Sequence, residues 1–397
     1  MNGGRGSAVN RGRLLAAAGA AALVTAGLVT AAPAGAADTE WTRVALPRVR
    51  PLATLTSVDA GSATRAWAVG REYAGVTDYG DIPGVPLILA MNGTRWTRAA
   101  LPGVTWTGAL SSVAATGPAE AWAAGQEAGG RGHVLRWNGS AWADVALPDA
   151  VATGHTLTLE GTRGYAPWLV ARSTQDGAVT VLRWSGSAWV AVETPAAPFG
   201  ARLVDVAPDG TVRLVGAVSR QLPGFPIFVP VLTVYRWTGS AWEPLLQEGP
   251  QVIATDVLAG PGGELWVAGQ VPWVGPGRPP PVPAATLVRH DGTAWTTVPL
   301  GTGTVLGTPT LTGQDTGRPE YVLGTFVIDA VPVAGALRND GGTFTRVPFA
   351  AGVPPEADQP SIVSGVHLPG TSSTVAVGQV QYTYYNQYAP RIEREDR

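Results

Sequence analysis

Two aspartates are the candidates for acid–base chemistry in this sequence. Asp205 and Asp256 each lie in a short apolar run, and we align them with Ser57, Ser112 and Thr158 in other runs of the same kind. Paired carboxylic acids with different pKa values support hydrolysis, and carboxylates also bind cations such as Ca²⁺. If these runs line one channel, the two aspartates face each other there. The alternative is that the carboxyls are a solvated polar lining of the channel or are hydrogen-bonded to a neighbouring strand.

The other groups that commonly carry catalysis are sparse. None of the four histidines, His133, His155, His290 and His367, lies within short metal-ligand spacing of another. The chain contains no cysteine, which excludes disulfides and thiolate metal sites. It also lacks the nucleophile elbow, the phosphate-binding loop and the dinucleotide fingerprint. We therefore predict no metal and no cofactor, and binding is favoured over catalysis.

Aromatic side chains form a second set of candidates, and they indicate binding. They lie in proline-rich segments that differ from one another in sequence and length, where rigid scaffolds usually carry their function. Proline lowers the entropy that a loop loses on binding, and tyrosine and tryptophan are enriched at interfaces. The predicted ligand-binding residues are Tyr73, Tyr79, Trp106, Phe225, Phe228, Trp273, Tyr382, Tyr384, Tyr385 and Tyr388. The alternative is that these rings only cover the core or pack against one another.

A repeated segment determines which elements position these residues. It begins in most copies with a tryptophan or a basic residue, continues through a turn that contains glycine, and reaches an aromatic residue. Its copies are Met91–Trp96, Trp137–Trp142, Trp184–Trp189, Trp237–Trp242, His290–Trp295 and, more weakly, Asn339–Phe344. Asn-Gly, Asp-Gly and Ser-Gly pairs supply the positive φ of a tight hairpin. A period of roughly 45–55 residues is typical of propellers and solenoids.

A second motif alternates with the first and completes a four-stranded unit. It consists of an apolar run, a turn and the sequence Trp-x-x-Gly. We name the four strands a to d in chain order within each repeat. They are typified by Leu55–Ala60, Arg65–Gly70, Val134–Trp137 and Trp142–Leu147. Short β-rich runs separated by Gly, Pro, Asn and Asp predict strands and hairpins, so each repeat is a propeller blade.

The two ends of the chain predict how the ring closes. There are seven a–b motifs but only six complete c–d pairs after residue 37. Glu40–Pro47 copies the d strand of Arg95–Pro102, and strand c of the last repeat falls at Arg391–Arg397. The N-terminal strand would therefore complete the C-terminal blade and remove an exposed sheet edge. We predict an all-β, seven-bladed β-propeller over residues 38–397.

The repeats resemble those of secreted bacterial seven-bladed β-propellers. The resemblance rests on the Trp-x-x-Gly motif and on the turn-and-tryptophan segments above, and it covers nearly all of the mature chain. The turn at Asp340–Phe344 is also distantly similar to the Asp box of sialidase-type propellers, although the serine two residues before the aspartate is missing. The resemblance implies the fold and says little about activity.

The N-terminus predicts export. Arg5, Arg11 and Arg13 precede an apolar stretch, Leu14–Val29, and a run of small residues, Ala34–Ala37. This is the layout of a secretory signal peptide, which we assign to residues 1–37. The alternative, an uncleaved anchor, needs a longer apolar run than this one. We expect a secreted, extracellular monomer, in the medium or at the cell wall, with no membrane span after cleavage.

The charge of the chain restricts its partners. Charged residues make up 14% of the sequence and the formal net charge is −2. No basic face is implied, so nucleic acid is not an expected partner.

The irregular b–c loops mark the face on which function is predicted. In a propeller the b–c and d–a connections share one face of the disc, and the c–d turns lie on the other. The c–d turns repeat almost unchanged, whereas the b–c loops do not. These loops are Arg71–Pro86, Arg220–Val231, Gln270–Ala285, Thr325–Gly335 and Gln379–Pro390. We predict an exported module that binds a protein or a glycan on this b–c face. The alternative is a carbohydrate-active hydrolase or lyase that works at the channel mouth through Asp205 and Asp256.

Overall fold

Seven antiparallel sheets of four strands each form the blades of a β-propeller. The computed structural model describes residues 41–77, 80–196, 199–221, 227–260, 263–272, 284–300, 304–313, 316–328, 331–349, 359–382 and 387–396. These residues contain no α-helix. Accordingly, no helix in the described ranges has the length and apolar character that a membrane span needs. The predicted signal peptide, residues 1–37, lies outside the described residues.

The strands follow the predicted a–b–c–d order within each blade. Blade 1 contains β2 (Thr54–Ser62), β3 (Arg65–Thr77), β4 (Gly80–Asn92) and β5 (Arg95–Arg98), and blade 2 contains β6 (Gly108–Gly117), β7 (Glu120–Glu127), β8 (Gly132–Trp137) and β9 (Trp142–Val145). Blade 3 contains β10 (His155–Glu160), β11 (Trp168–Ser173), β12 (Val179–Trp184) and β13 (Trp189–Val192), and blade 4 contains β14 (Phe199–Val206), β15 (Val212–Gln221), β16 (Phe228–Trp237) and β17 (Trp242–Leu246).

The remaining three blades have the same order. Blade 5 contains β18 (Ile253–Ala259), β19 (Leu265–Gln270), β20 (Ala285–His290) and β21 (Trp295–Val298), and blade 6 contains β22 (Thr304–Leu311), β23 (Tyr321–Ile328), β24 (Val331–Asp340) and β25 (Thr343–Pro348). Blade 7 contains β26 (Gln359–His367), β27 (Thr374–Tyr382), β28 (Gln387–Glu395) and the N-terminal strand β1 (Trp41–Arg43).

The predicted closure of the ring is confirmed. Strand β1 pairs antiparallel with β28, so that Trp41 lies opposite Glu395 and Thr42 opposite Arg394. The Thr42 hydroxyl also donates a hydrogen bond to the Arg394 carbonyl at 3.0 Å. The first and last of the described strands thus belong to one sheet, which leaves β28 covered along its outer edge.

Aromatic residues of strand d pack on strand b of the preceding blade. The ring centroids lie 5.4 Å apart for Trp189 and Trp122, 5.7 Å for Trp242 and Trp168, and 5.2 Å for Trp41 and Tyr321. These tilted and edge-to-face arrangements are the ones that aromatic pairs favour. The aromatic residue of strand d therefore contributes a packing contact between neighbouring blades.

The c–d turns satisfy their own polar groups. In blade 2, Asn138 Oδ1 accepts hydrogen bonds from the backbone N–H groups of Ser140 and Ala141, each at 3.0 Å. Gly139 takes φ 97°, the left-handed conformation that the Asn-Gly pair predicts. Asp291 plays the part of Asn138 in blade 5, and the hydrogen bonds that it accepts from Ala294 and Thr293 lower the pKa of its carboxyl. The polar groups of these c–d turns are therefore hydrogen-bonded within the turns themselves.

Blade 4 departs from the repeat at one buried position. Arg213 stands in strand b where four other blades have tryptophan: Trp67, Trp122, Trp168 and Trp266. Its Nη1 lies 3.6 Å from Oδ2 of Asp205, its pairing partner in strand a. Neither atom has a hydrogen-bond partner among the residues described. A buried ion pair of this kind adds little net stability, because desolvation offsets the attraction.

The Asp205–Arg213 pair can be replaced by the residues of the next blade. Leu258 and Trp266 occupy the same paired positions in blade 5. We expect Asp205→Leu alone to cost about 3–5 kcal/mol in unfolding free energy, since it leaves a buried guanidinium unpaired. The double variant Asp205→Leu/Arg213→Trp should be at least as stable as the parent protein. Urea denaturation of the three proteins tests this, and a double variant as unstable as the single one would contradict it.

Candidate functional site

The structure corrects the alignment of the two predicted aspartates. Asp256 pairs with Ala268, one residue before Gly269 at the end of the b motif, whereas Asp205 pairs with Arg213, three residues before Gly216. The shared Asp-Val dipeptide thus falls at different pairing positions in blades 4 and 5. Asp256 aligns with Ser57, Ser112 and Thr158 as predicted, but Asp205 does not.

Asp205 belongs to a second level of the channel wall. Asp59 pairs with Trp67 and Glu160 pairs with Trp168, which are the positions equivalent to Arg213. Asp59, Glu160 and Asp205 therefore share one level in blades 1, 3 and 4, and Asp256 lies at the adjacent level in blade 5. The predicted equivalence of the two carboxylates is wrong, since Asp205 lies one level, or two residues, further along its strand than Asp256. The negative charge of Asp256 nevertheless contributes to the raised pKa of Asp205.

The level of the channel wall that contains Asp256 is called the first level here. Its side-chain oxygens join neighbouring blades through hydrogen bonds. Each accepts a hydrogen bond from a backbone N–H of strand a in the next blade. The donor–acceptor pairs are Val113 to Ser57 at 3.3 Å, Leu159 to Ser112 at 2.9 Å, Leu311 to Asp256 at 2.6 Å and Val58 to Ser364 at 3.2 Å. Asp256 therefore makes the same hydrogen bond between blades as Ser57, Ser112 and Ser364, with a longer side chain. The alternative prediction, a carboxyl hydrogen-bonded to a neighbouring strand, is confirmed for this residue.

Carboxyl groups of the second level also join neighbouring blades through hydrogen bonds. Asp59 Oδ2 accepts the N–H of Ala115 at 2.6 Å, and Asp205 Oδ1 accepts the N–H of Ala259 at 3.4 Å. Burial raises the pKa of Asp59 and of Asp205 to about 7, although these backbone hydrogen bonds act in the opposite direction. Burial likewise raises the pKa of Asp256 to about 6.

Glu160, like Asp59, is a channel carboxyl that the sequence did not single out. Its pKa is raised well above the usual range, first by burial and then by the negative charges of Asp256, Asp205 and Asp59. It lines a cavity of about 230 Å³ in the channel, with walls formed largely by strand-a hydroxyls and carboxyls. Several of these hydroxyls are also used between blades, since Thr56 donates to the Leu110 carbonyl at 2.9 Å. Many polar groups of the channel wall are thus hydrogen-bonded between neighbouring blades.

The b–c face differs from its predicted form. The segments predicted as irregular loops continue as regular β-hairpins in four blades. The last pairs before their tips are Thr77–Gly80 in blade 1, Gln221–Phe228 in blade 4, Ile328–Val331 in blade 6 and Tyr382–Gln387 in blade 7. In blade 5, residues 273–283 of the predicted loop lie outside the described residues. The shorter hairpins of blades 2 and 3 end at Gln126–Gly132 and Arg172–Val179.

Two predicted rings are strongly exposed on these extended hairpins. Tyr73 is 51% exposed and Phe228, at the tip of its hairpin, is 65% exposed. Tyr73 has φ 56°, a left-handed conformation that costs an L-residue roughly 1–2 kcal/mol. Its N–H donates to the Pro51 carbonyl at 2.9 Å, which holds the strained residue in place. Strain maintained at an exposed aromatic residue is typical of functional positions.

The other predicted rings are distributed differently. Tyr388 is half-buried on β28, and Tyr382 pairs with Gln387 at the end of the blade 7 hairpin. Trp106 is half-buried in the d–a segment before blade 2. Five predicted residues lie outside the described residues: Tyr79, Phe225, Trp273, Tyr384 and Tyr385.

Trp106 leads to a cluster that the sequence did not predict. Its ring stacks on the imidazole of His133, with centroids 4.3 Å apart and planes 13° from parallel. His133 Nδ1 lies 2.9 Å from Asp144 Oδ2, and its Nε2 lies 3.3 Å from Glu127 Oε2. The imidazole is thus held on one face and at both nitrogens.

A cavity of about 390 Å³ opens beside this cluster on the b–c face. His133 and Asp144 form part of its wall, together with residues at the start of strand c and in the d–a segment. These further wall residues are Arg131, Gly132, Val145, Ala146, Leu147, Asp149 and Ala152. A concave, partly apolar space with a few polar groups is the usual form of a small-molecule site.

His133 could have been found from the repeat itself. It pairs with Gly125, and the equivalent positions of blades 3, 4 and 5 hold Thr180, Thr233 and Thr286. The other three blades hold Leu87, Gly335 and Arg391 there, so the position varies between blades and the repeat itself does not require a histidine. In the described part of the chain, no group of three or more His, Asp or Glu side chains has metal-binding geometry.

The comparisons with known proteins establish the fold alone. No protein-family model matches the chain, and no curated protein matches it significantly. Among solved structures, the polysaccharide lyase Uly1 superposes with a TM-score of 0.57 and 10% identity over 86% of this chain and 89% of its own. A protein of unknown function from Dyadobacter fermentans has a TM-score of 0.47 and 14% identity, covering 90% of this chain and all of its own. A six-bladed fucose-recognising lectin of Aleuria aurantia has a TM-score of 0.42 and 12% identity, covering 76% and 98%.

Proposed function

We propose that the chain is an exported carbohydrate-binding propeller that takes its ligand on the b–c face. The observation that carries the proposal is the exposure of Tyr73 and Phe228 on extended hairpins of a rigid scaffold. Flat rings stack on the apolar faces of sugars, and hairpin strands hold such rings with little loss of entropy on binding. The opposite face carries the short c–d turns, whose polar groups are already satisfied.

A glycan is favoured over a protein as the first ligand to test. The rings protrude from separate blades, which suits a chain ligand that contacts the face at several points. The polysaccharide lyase that shares this fold acts, by its name, on a polysaccharide. The aspartates predicted for catalysis accept backbone hydrogen bonds between blades, which favours binding without turnover at the channel.

Removal of the two exposed rings should weaken retention of the ligand. We expect Tyr73→Ala/Phe228→Ala to weaken binding of the polysaccharide that the parent protein retains best by at least about tenfold, because stacking area is lost. The thermal transition should stay nearly unchanged, since both side chains are exposed. Affinity electrophoresis against a panel of soluble polysaccharides, with analysis of products, gives the readout.

The matched control is a ring on the other side of the disc. Tyr165 is 43% exposed and lies in the a–b connection of blade 3. Tyr165→Ala should leave retention unchanged. Equal loss in both variants, or no loss in the double variant, would reject the assigned face. Release of shortened products from a retained polysaccharide would support the enzymatic alternative instead.

A further inference from the structure

We propose that the cavity beside His133 binds one uncharged sugar residue. The inference rests on the proposed carbohydrate-binding function and adds a site and a class of sugar. The wall of the cavity is formed by residues of blade 2 and of the segment that leads to blade 3, and Trp106, from the segment before blade 2, stacks on His133.

The wall of the cavity is held rigidly around His133. Trp106 comes from the d–a segment before blade 2, Glu127 from the end of β7 and Asp144 from β9. Their contacts fix the imidazole plane and both of its nitrogens. A wall fixed before the ligand arrives lowers the entropy lost on binding, which is the usual requirement for a precise polar site.

The free polar groups of the cavity match an uncharged hydroxyl-bearing ligand. Arg131 and Asp149 both line the cavity, and neither side chain forms an ion pair within the described ranges. A guanidinium only donates hydrogen bonds and a carboxylate only accepts them, whereas sugar hydroxyls do both. One free donor group and one free acceptor group can therefore engage neighbouring hydroxyls of the same sugar.

The same wall disfavours an acidic sugar. Three carboxyl groups, those of Glu127, Asp144 and Asp149, stand at or beside the cavity, against the guanidinium of Arg131. A uronic acid carboxylate would meet an excess of like charge, and juxtaposed like charges suppress binding. The expected ligand is a neutral hexose or deoxyhexose.

The cavity has a suitable size and can be tested without disturbing the fold. Its volume of about 390 Å³ lies within the range of roughly 300–1,000 Å³ that small-molecule sites occupy. Threonine occupies the position of His133 in blades 3, 4 and 5. His133→Thr therefore returns blade 2 to the residue that the repeat already accommodates.

Monosaccharide titrations with four proteins provide the test. Glucose, galactose, mannose and fucose serve as neutral probes, with glucuronate as the acidic probe, and NMR shifts or calorimetry report binding. We expect the parent protein to bind at least one neutral sugar at least about tenfold more tightly than glucuronate. His133→Thr and Asp149→Asn should each weaken that binding severalfold or more, while each protein keeps one cooperative thermal transition. Thr286→Ala, at the position equivalent to His133 in blade 5, is the control and should bind normally.

The outcomes separate this inference from the function on which it rests. Neutral-sugar binding that is unchanged in His133→Thr, or a preference for glucuronate, overturns the inference and leaves carbohydrate binding intact. Retention of polysaccharides without binding of any monosaccharide likewise overturns the inference and leaves carbohydrate binding intact. If the parent protein binds neither polysaccharides nor monosaccharides, the proposed function and the inference both fail.

Discussion

A protein that lacks residues 39–46 should lose its cooperative unfolding transition or melt far below the intact chain. Strand β1 is the outer strand of blade 7, and its removal uncovers the edge of β28. It also removes Trp41, which is fully buried and packs on Tyr321 and Phe349 with centroids 5.2 and 4.8 Å away. Loss of a buried tryptophan alone costs about 3–5 kcal/mol, and the lost strand pairing adds to it.

Single substitutions in β1 separate packing from pairing. Trp41→Ala should lower the free energy of unfolding by about 3–5 kcal/mol, whereas Thr42→Ala, on the exposed side of the same strand, should cost no more than about 1 kcal/mol. Differential scanning calorimetry and limited proteolysis measure both effects. A truncated protein as resistant to heat and protease as the intact one would refute the closure.

The folded protein should become less stable as the pH rises from about 5 to about 8. Burial raises the pKa of Asp59 and Asp205 to about 7 and that of Asp256 to about 6, and it raises the pKa of Glu160 as well. In the unfolded chain these groups lose their protons near pH 4. Between these values the folded state binds more protons than the unfolded state, so each pH unit costs about 1.4 kcal/mol per group.

This pH dependence can be assigned to the channel by substitution. Asp59→Asn keeps an oxygen that can accept the Ala115 N–H but does not ionise, and it should flatten the loss of stability above about pH 5. The surface carboxyls of Asp209 and Asp291, whose hydrogen bonds lower their pKa, finish titrating below this window and serve as the contrast. Urea midpoints at about pH 5 and about pH 8 give the readout. Equal stability at both values in the parent protein would mean that the channel carboxyls ionise freely.

Much of the fold could be predicted because it depends on local, repeated signals. The glycine of each c–d turn specifies a tight hairpin, and the aromatic residues of strands d and b specify the contact between neighbouring blades. The copy of strand d at Glu40–Pro47 then identified the partner of β28 from the opposite end of the chain. Closure followed because a propeller with one missing outer strand has one place for it.

The candidate sites could be predicted only in part, because strand register and blade contacts decide them. Asp205 and Asp256 look equivalent when the two strands are aligned on their Asp-Val dipeptides. In the structure, however, Asp205 pairs with Arg213 and Asp256 with Ala268, which places them at different levels. Tyr73 and Phe228 were predicted as binding residues from their type and segment, and the structure shows both exposed, although on hairpins and not on loops.

By itself the sequence determined the β-propeller, the number of blades, the way the ring closes and the face that varies, since these depend on residue patterns within a repeat. Only the tertiary structure decided what the buried and clustered groups can do. Trp106, Glu127 and Asp144 meet His133 because blade packing and antiparallel pairing bring them together. The raised pKa values of the channel carboxyls likewise require neighbouring blades to exclude water from the channel.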